Sequence, residues 1–178
     1  TGDPSTQYYR AAYERYHRAY ELRNHYYPGS NAASCAVLSR DPDLAEQGRR
    51  LAGDVAKACA RRDVGLEQPD ELYWVFATEG EACLLLGHGD RAARFYAQAL
   101  RCLGPEQTGM ADSSYAQVCR LCWVLGETVV QPVLEVFASP EFERIAKQLQ
   151  AAPLWQCCPV DVDSRHCRAR FHASRSVR

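Results

Sequence analysis

Cys119 and Cys122 stand three positions apart in "YAQVCRLCWVL", the Cys-x-x-Cys spacing of zinc sites and of disulfide oxidoreductases. A structural zinc site needs a second pair of ligands. Cys157, Cys158, His166, Cys167 and His172 are the candidates, and their spacing fits no familiar zinc pattern. Redox chemistry of the thioredoxin kind expects the pair at a helix start after a strand, where the helix N-terminus lowers the thiol pKa. No strand-like segment precedes Cys119. On a helix the two cysteines share a face with Val118 and Leu125, so packing thiols are the expectation. A metal- or thiol-dependent regulator or enzyme using Cys119, Cys122, Cys157 and Cys158 is the alternative to test.

Other chemistry-bearing residues give less. Glu79 and Glu81 are two apart on one helix, point in different directions, and form no paired-carboxylate site. His17, His25 and His88 are isolated, and no Ser/His/Asp set assembles around them. "GHGD" at Gly87 to Asp90 mimics part of a phosphate loop but lacks a preceding strand and a following Gly-Lys-Ser/Thr. It reads as an interhelical turn with Asp90 capping the next helix. The end "SRHCRARFHASRSVR" carries five arginines, a feature able to touch phosphates or an acidic partner; a solvated terminus is the expectation. No cofactor is expected.

The elements that must position these residues are helices. The 178 residues suffice for one domain without disulfides or metals. With 21 Lys+Arg against 22 Asp+Glu, bulk charge draws the chain to neither nucleic acid nor an anionic membrane. No apolar run nears the ~20 residues of a membrane helix, and "TGDPSTQ" lacks the regions of a signal peptide. Nine cysteines, mostly at helix-interior positions, suggest reduced thiols and a cytoplasmic protein.

Helical periodicity runs through most of the chain. Tyr9, Tyr13, Tyr16 and Tyr20 mark one face of a helix over Ser5 to Asn24. Pro28-Gly29 reads as a turn, with Asn31 starting a short helix to Leu38, and Pro42 opens another to about Arg61. After a polar loop with Gly65 and Pro69 comes "LYWVFATEGEACLLLG", then "RAARFYAQALRCLG", stopped by Gly104-Pro105. Further helices are expected at Ser113 to Leu125, Thr128 to Phe137 and Pro140 to Ala151. Residues 153–178 are expected to be an irregular or partly disordered tail to an array spanning 1–152.

The helices repeat. Ala92, Tyr96 and Ala99 give the Ala-x3-aromatic-x2-Ala pattern of a tetratricopeptide second helix, with Phe76 at the large position and Gly80 at the small crossing of the first. Ala12, Tyr16 and Ala19 repeat the pattern, and Ala45, Arg49 and Ala52 do so loosely. The offset from Ala12 to Ala45 is 33 residues, close to one repeat. About seven or eight helices in an all-α, right-handed helical-hairpin superhelix are therefore expected.

Two blocks, "YYPGSNAASCAVL" at Tyr26 to Leu38 and "DELYWVFATEGEACLLLGHGDRAARFYAQAL" at Asp70 to Leu100, carry a likeness. They resemble the tetratricopeptide-like TRAF-binding region of apoptosis signal-regulating MAP kinase kinase kinases and its stand-alone bacterial relatives. The likeness covers roughly Tyr8 to Leu103. Ser30 departs from it, standing where the family usually has an aliphatic residue, and the tail after Pro153 has no counterpart. The resemblance implies a scaffold-like, non-enzymatic binding module of a signalling or stress-response system.

In such arrays the first helices of successive repeats line the concave side. Trp74, Ala77, Glu81, Leu84 and Leu85 are expected there, faced by Asn31 and Ser34 from the preceding repeat. Trp supplies contact area and Asn bidentate hydrogen bonds to a peptide. The expected partner is a protein or peptide, with a second copy of the chain as a further option.

Overall fold

The computed structural model describes residues 4–62, 68–103 and 107–140. Its elements are α1 (Pro4–Arg23), α2 (Tyr26–Leu38), α3 (Pro42–Ala60), α4 (Pro69–Leu85), α5 (Gly89–Arg101), α6 (Thr108–Leu125) and α7 (Glu127–Phe137). Among the described residues the protein is all-helical, seven helices with no strand, and none is long and apolar enough to cross a membrane. The Gly104-Pro105 stop, Gly65, residues 141–151 of the helix expected from Pro140 and the tail from 153 lie outside the described residues.

Each boundary has a local cause. α1 packs Tyr9, Tyr13, Tyr16 and Tyr20 against the core and ends at Asn24, whose φ of 46° is a left-handed conformation that Asn tolerates. The turn expected at Pro28-Gly29 is instead helix. α2 begins two residues earlier, where the His25 imidazole accepts from the Tyr27 amide. Pro28 then falls in the first turn, where its missing N–H has no intrahelical partner to lose. Asn31 lies inside the helix rather than at its start. Asp41 caps α3, its carboxylate accepting from Asp43 N at 3.1 Å and Leu44 N at 3.0 Å, with Pro42 following. Arg10 of α1 bonds the same carboxylate and ties the first helix to the third.

Asp90 does not cap α5. That helix starts at Gly89 after His88, and Asp90 sits in its first turn, where a carboxylate complements the helix dipole.

Short connections reverse the chain each time, so α2/α3, α4/α5 and α6/α7 form three hairpins. α1 packs on α2. The crossings are made close by small residues. A Cβ on Gly80 would lie 2.8 Å from the Tyr96 ring, and one on Gly48 would lie 2.7 Å from Ala33 O and Ala36 Cβ. Ala92, Tyr96 and Ala99 are all buried, as the repeat pattern requires. Ala12, Tyr16 and Ala19 are only half-buried.

The last hairpin breaks the regular stacking. α3 packs on α4, whereas α5, beyond its own hairpin partner α4, packs on α7. There the Tyr96 and Phe137 rings lie 5.4 Å apart, and Gly89 closes on the Val129 carbonyl. α6 packs on α7, where the Tyr115 and Phe137 rings lie 5.5 Å apart, and also meets α2 and α4.

Candidate functional site

The first helices of the three hairpins, α2, α4 and α6, converge on one carboxylate. Ser34 of α2, almost completely buried, donates its hydroxyl to Glu81 Oε1 of α4. Gln117 Nε2 of α6 donates to the same oxygen at 2.9 Å. Arg120 Nε in turn donates to Gln117 Oε1 at 2.9 Å, which fixes which way the amide points. Ser30, one helical turn before Ser34, is buried with its Oγ beside the same carboxyl but without hydrogen-bond geometry to any partner. Burial raises the Glu81 pKa, and the bonds from Ser34 and Gln117 and the Arg120 charge offset only part of it.

α4 and α6 are tied again near their N-terminal ends. The Tyr73 hydroxyl bridges the Met110 carbonyl at 2.9 Å and the Ser114 hydroxyl at 2.8 Å, and Asp70 bonds Gln107. Burial pushes the Tyr73 phenol far up, so it stays neutral.

The expected partner-binding residues divide in two. Glu81, Trp74 and Asn31 keep part of their surface. Trp74 stands edge-on to Tyr73, centroids 5.1 Å apart, and packs against the core. The Asn31 amide is turned back on its own helix, donating to Tyr27 O at 2.9 Å. Ala77, Leu84 and Leu85 are buried, and Ser34 is engaged by Glu81, so none of these four offers a surface. Gln117 and Arg120 of α6, which no sequence pattern points to, join Glu81 through these bonds, and Tyr27 of α2 and Trp123 of α6 are exposed. On α1, burial, then the neighbouring Tyr27, Cys35 and Tyr8, raises the Tyr16 pKa.

Cys35 and Cys59 are poor nucleophiles. Burial, then the Glu81 charge, pushes Cys35 up to about 11, and burial, then Glu79, pushes Cys59 up to about 12. Glu79 and Glu81 face different neighbours, as the spacing requires: Glu79 lies within reach of Cys59, Cys83 and Arg91. Cys119 is buried on α6 and Cys122 half-buried. Among the described residues no group of three or more His, Cys, Asp or Glu side chains is placed to hold a metal. Cys157 and Cys158 lie outside the described residues.

No family model, curated protein or solved structure matches the chain.

Proposed function

We propose that this chain is a non-enzymatic protein–protein interaction module, a tetratricopeptide-like scaffold of a signalling or stress-response system that works in the cytoplasm. Its binding face is the side formed by α2, α4 and α6. The observation that carries this reading is the alignment of those three helices on Glu81, with large aromatics left partly or wholly exposed on the same helices. Tyr27 is 51% exposed and Trp123 45%, and Trp74 is half-buried. Aromatic side chains of this kind dominate binding energy at protein interfaces. The resemblance to the TRAF-binding region, and to its bacterial relatives, agrees with the same role.

The test is affinity capture with the full chain, comparing it with Trp74→Ala and Tyr27→Ala. A protein or peptide held by the parent and released by both variants supports the reading. Capture indifferent to both substitutions contradicts it. Light scattering on the purified chain separates a second copy from a different partner.

A further inference from the structure

One crossing pattern occurs on both α5 and α1, in different surroundings. On α5, Ala92, Tyr96 and Ala99 are buried. α4 lies across them through Gly80, where an added Cβ would stand 2.8 Å from the Tyr96 ring and 3.3 Å from the Ala92 carbonyl oxygen. On α1, Ala12, Tyr16 and Ala19 all keep part of their surface. The close approach of α1 to α2 is made elsewhere, at Tyr20, whose ring a Cβ on Gly29 would meet at 2.8 Å.

Helical spacing sorts the rest of α1 into two flanks. Arg10, Glu14, His17 and Glu21 form the one turned toward α3: Arg10 bonds Asp41, and His17 lies 3.7 Å from Glu21. Tyr8, Ala12, Arg15, Ala19 and Leu22 form the other, alternating by four and three residues as a helix-packing seam does. Tyr8 is 63% exposed and Leu22 77%, well beyond what a solvated helix face requires. Tyr8 and the exposed Tyr27 of α2 both neighbour Tyr16, so the seam opens into the groove between α1 and α2.

Charge limits what can lie there. Both carboxylates of α1 are on the flank toward α3, and exposed Arg15, at the middle of the seam, forms no ion pair with a described residue. Two copies of α1 laid together in register would set Arg15 against Arg15, which disfavours self-pairing. The residue before the pattern's tyrosine is Arg15 on α1 and Phe95 on α5. A helix crossing α1 therefore meets a cation where α5 offers an aromatic ring. α4 already has the acidic character this asks for, with Asp70, Glu71, Glu79 and Glu81 and no lysine or arginine.

Resting on the interaction-module reading, we propose that the groove between α1 and α2 is a docking site for one acidic amphipathic helix of a partner protein. The helix lies on α1 as α4 lies on α5. It carries glycine or alanine where it crosses Tyr16, a large apolar residue one turn earlier, as Phe76 precedes Gly80, and a carboxylate to pair with Arg15. Tyr8 and Tyr27 supply aromatic contact area. The bound helix takes its place beside α2 as a further first helix, so binding extends the array without rearranging it.

The probe is a fluorescent peptide with the sequence of residues 69–85, Cys83 replaced by serine, titrated by anisotropy into three forms of the full chain. These are the parent, Ala12→Leu/Ala19→Leu, which fills the crossing, and Arg15→Glu, which reverses one exposed charge and leaves the packing alone. The expected result is saturable binding to the parent, weakened at least about tenfold by either change. Gly80→Leu in the peptide should weaken binding as much. If the double variant loses helical signal by circular dichroism, Ala12→Leu alone replaces it. A parent that takes up no peptide overturns the proposal. So does binding indifferent to both changes in α1, the result expected if the peptide merely exchanges with the chain's own α4. A parent dimer by light scattering that Ala12→Leu/Ala19→Leu dissociates also overturns it, because the seam then belongs to a second copy. Trp74, on α4, does not line this groove. Loss of the peptide result with Trp74-dependent capture intact removes the groove alone, whereas failure of capture removes the interaction reading itself.

Discussion

Ser34, on α2, gives its hydroxyl hydrogen to Oε1 of Glu81 on α4, 47 residues further along the chain. The bond joins the first helices of two successive hairpins at the point where α6 also arrives through Gln117. A carboxylate placed there has two consequences. It fixes the register of three helices, and it carries a desolvation penalty that its partners only partly offset.

The two consequences separate by substitution. Glu81→Ala leaves Ser34 and Gln117 without their acceptor and should cost about 1–3 kcal/mol. Glu81→Gln keeps an acceptor oxygen and removes the buried charge, so it should change stability by less than about 1 kcal/mol in either direction. Chemical denaturation of both variants measures the difference. Equal losses in the two would mean that the charge, and not the hydrogen bonding, matters.

Gly80 and Gly53 both lie in helices, yet alanine should act oppositely at the two. At Gly80 the new methyl would meet the Tyr96 ring at 2.8 Å, and that ring is itself fully buried, so Gly80→Ala should cost about 1–3 kcal/mol. At Gly53 nothing lies within 4 Å, and Gly53→Ala should gain about 0.5–1 kcal/mol from helix propensity. Thermal melts of the pair test the α4–α5 crossing with an internal control.

The pH dependence follows from two raised carboxyl pKa values. Glu79 and Glu81 are both shifted upward, chiefly by burial. The folded chain therefore holds protons that the unfolded chain has released, and stability falls as pH rises from the ordinary carboxylate range through the raised values. Asp41 works in the opposite sense and in a lower window. The Leu44 amide and Arg10 lower its pKa, so its contribution is lost only as pH falls below the ordinary range. Melting temperatures between pH 5 and 7.5 should decline toward the higher pH for the parent, and less so for Glu79→Gln/Glu81→Gln. A parent chain that gains stability relative to this variant over the same interval would contradict the assignment.

Much of this fold could be read from residue spacing. The tyrosine face of α1, the Asp41-Pro42 start of α3 and the Ala92-Tyr96-Ala99 crossing are local patterns, and each places its residues as the pattern says. The Pro28-Gly29 segment failed for a physical reason. Proline breaks helices in the interior but not in the first turn, and only the cap at His25 reveals which case applies. The site was half legible. Glu81 and Ser34 fall on the inner side by repeat register, but Gln117 and Arg120 depend on α6 leaving its regular position, a tertiary choice that no local pattern encodes. One signal was present: Ser30 and Ser34, four apart in an otherwise small and apolar helix, mark polar groups aimed into a packed region.

The most direct test of the interaction role is quantitative capture with three forms of the full chain: the parent, Trp74→Ala, and Arg94→Ala on the exposed side of α5. All three should show the same helical signal by circular dichroism. The account predicts at least one protein enriched equally by the parent and Arg94→Ala and reduced at least about tenfold by Trp74→Ala, the loss expected of an interface anchor. Identical capture by all three forms, or loss on Arg94→Ala with Trp74→Ala intact, would contradict it.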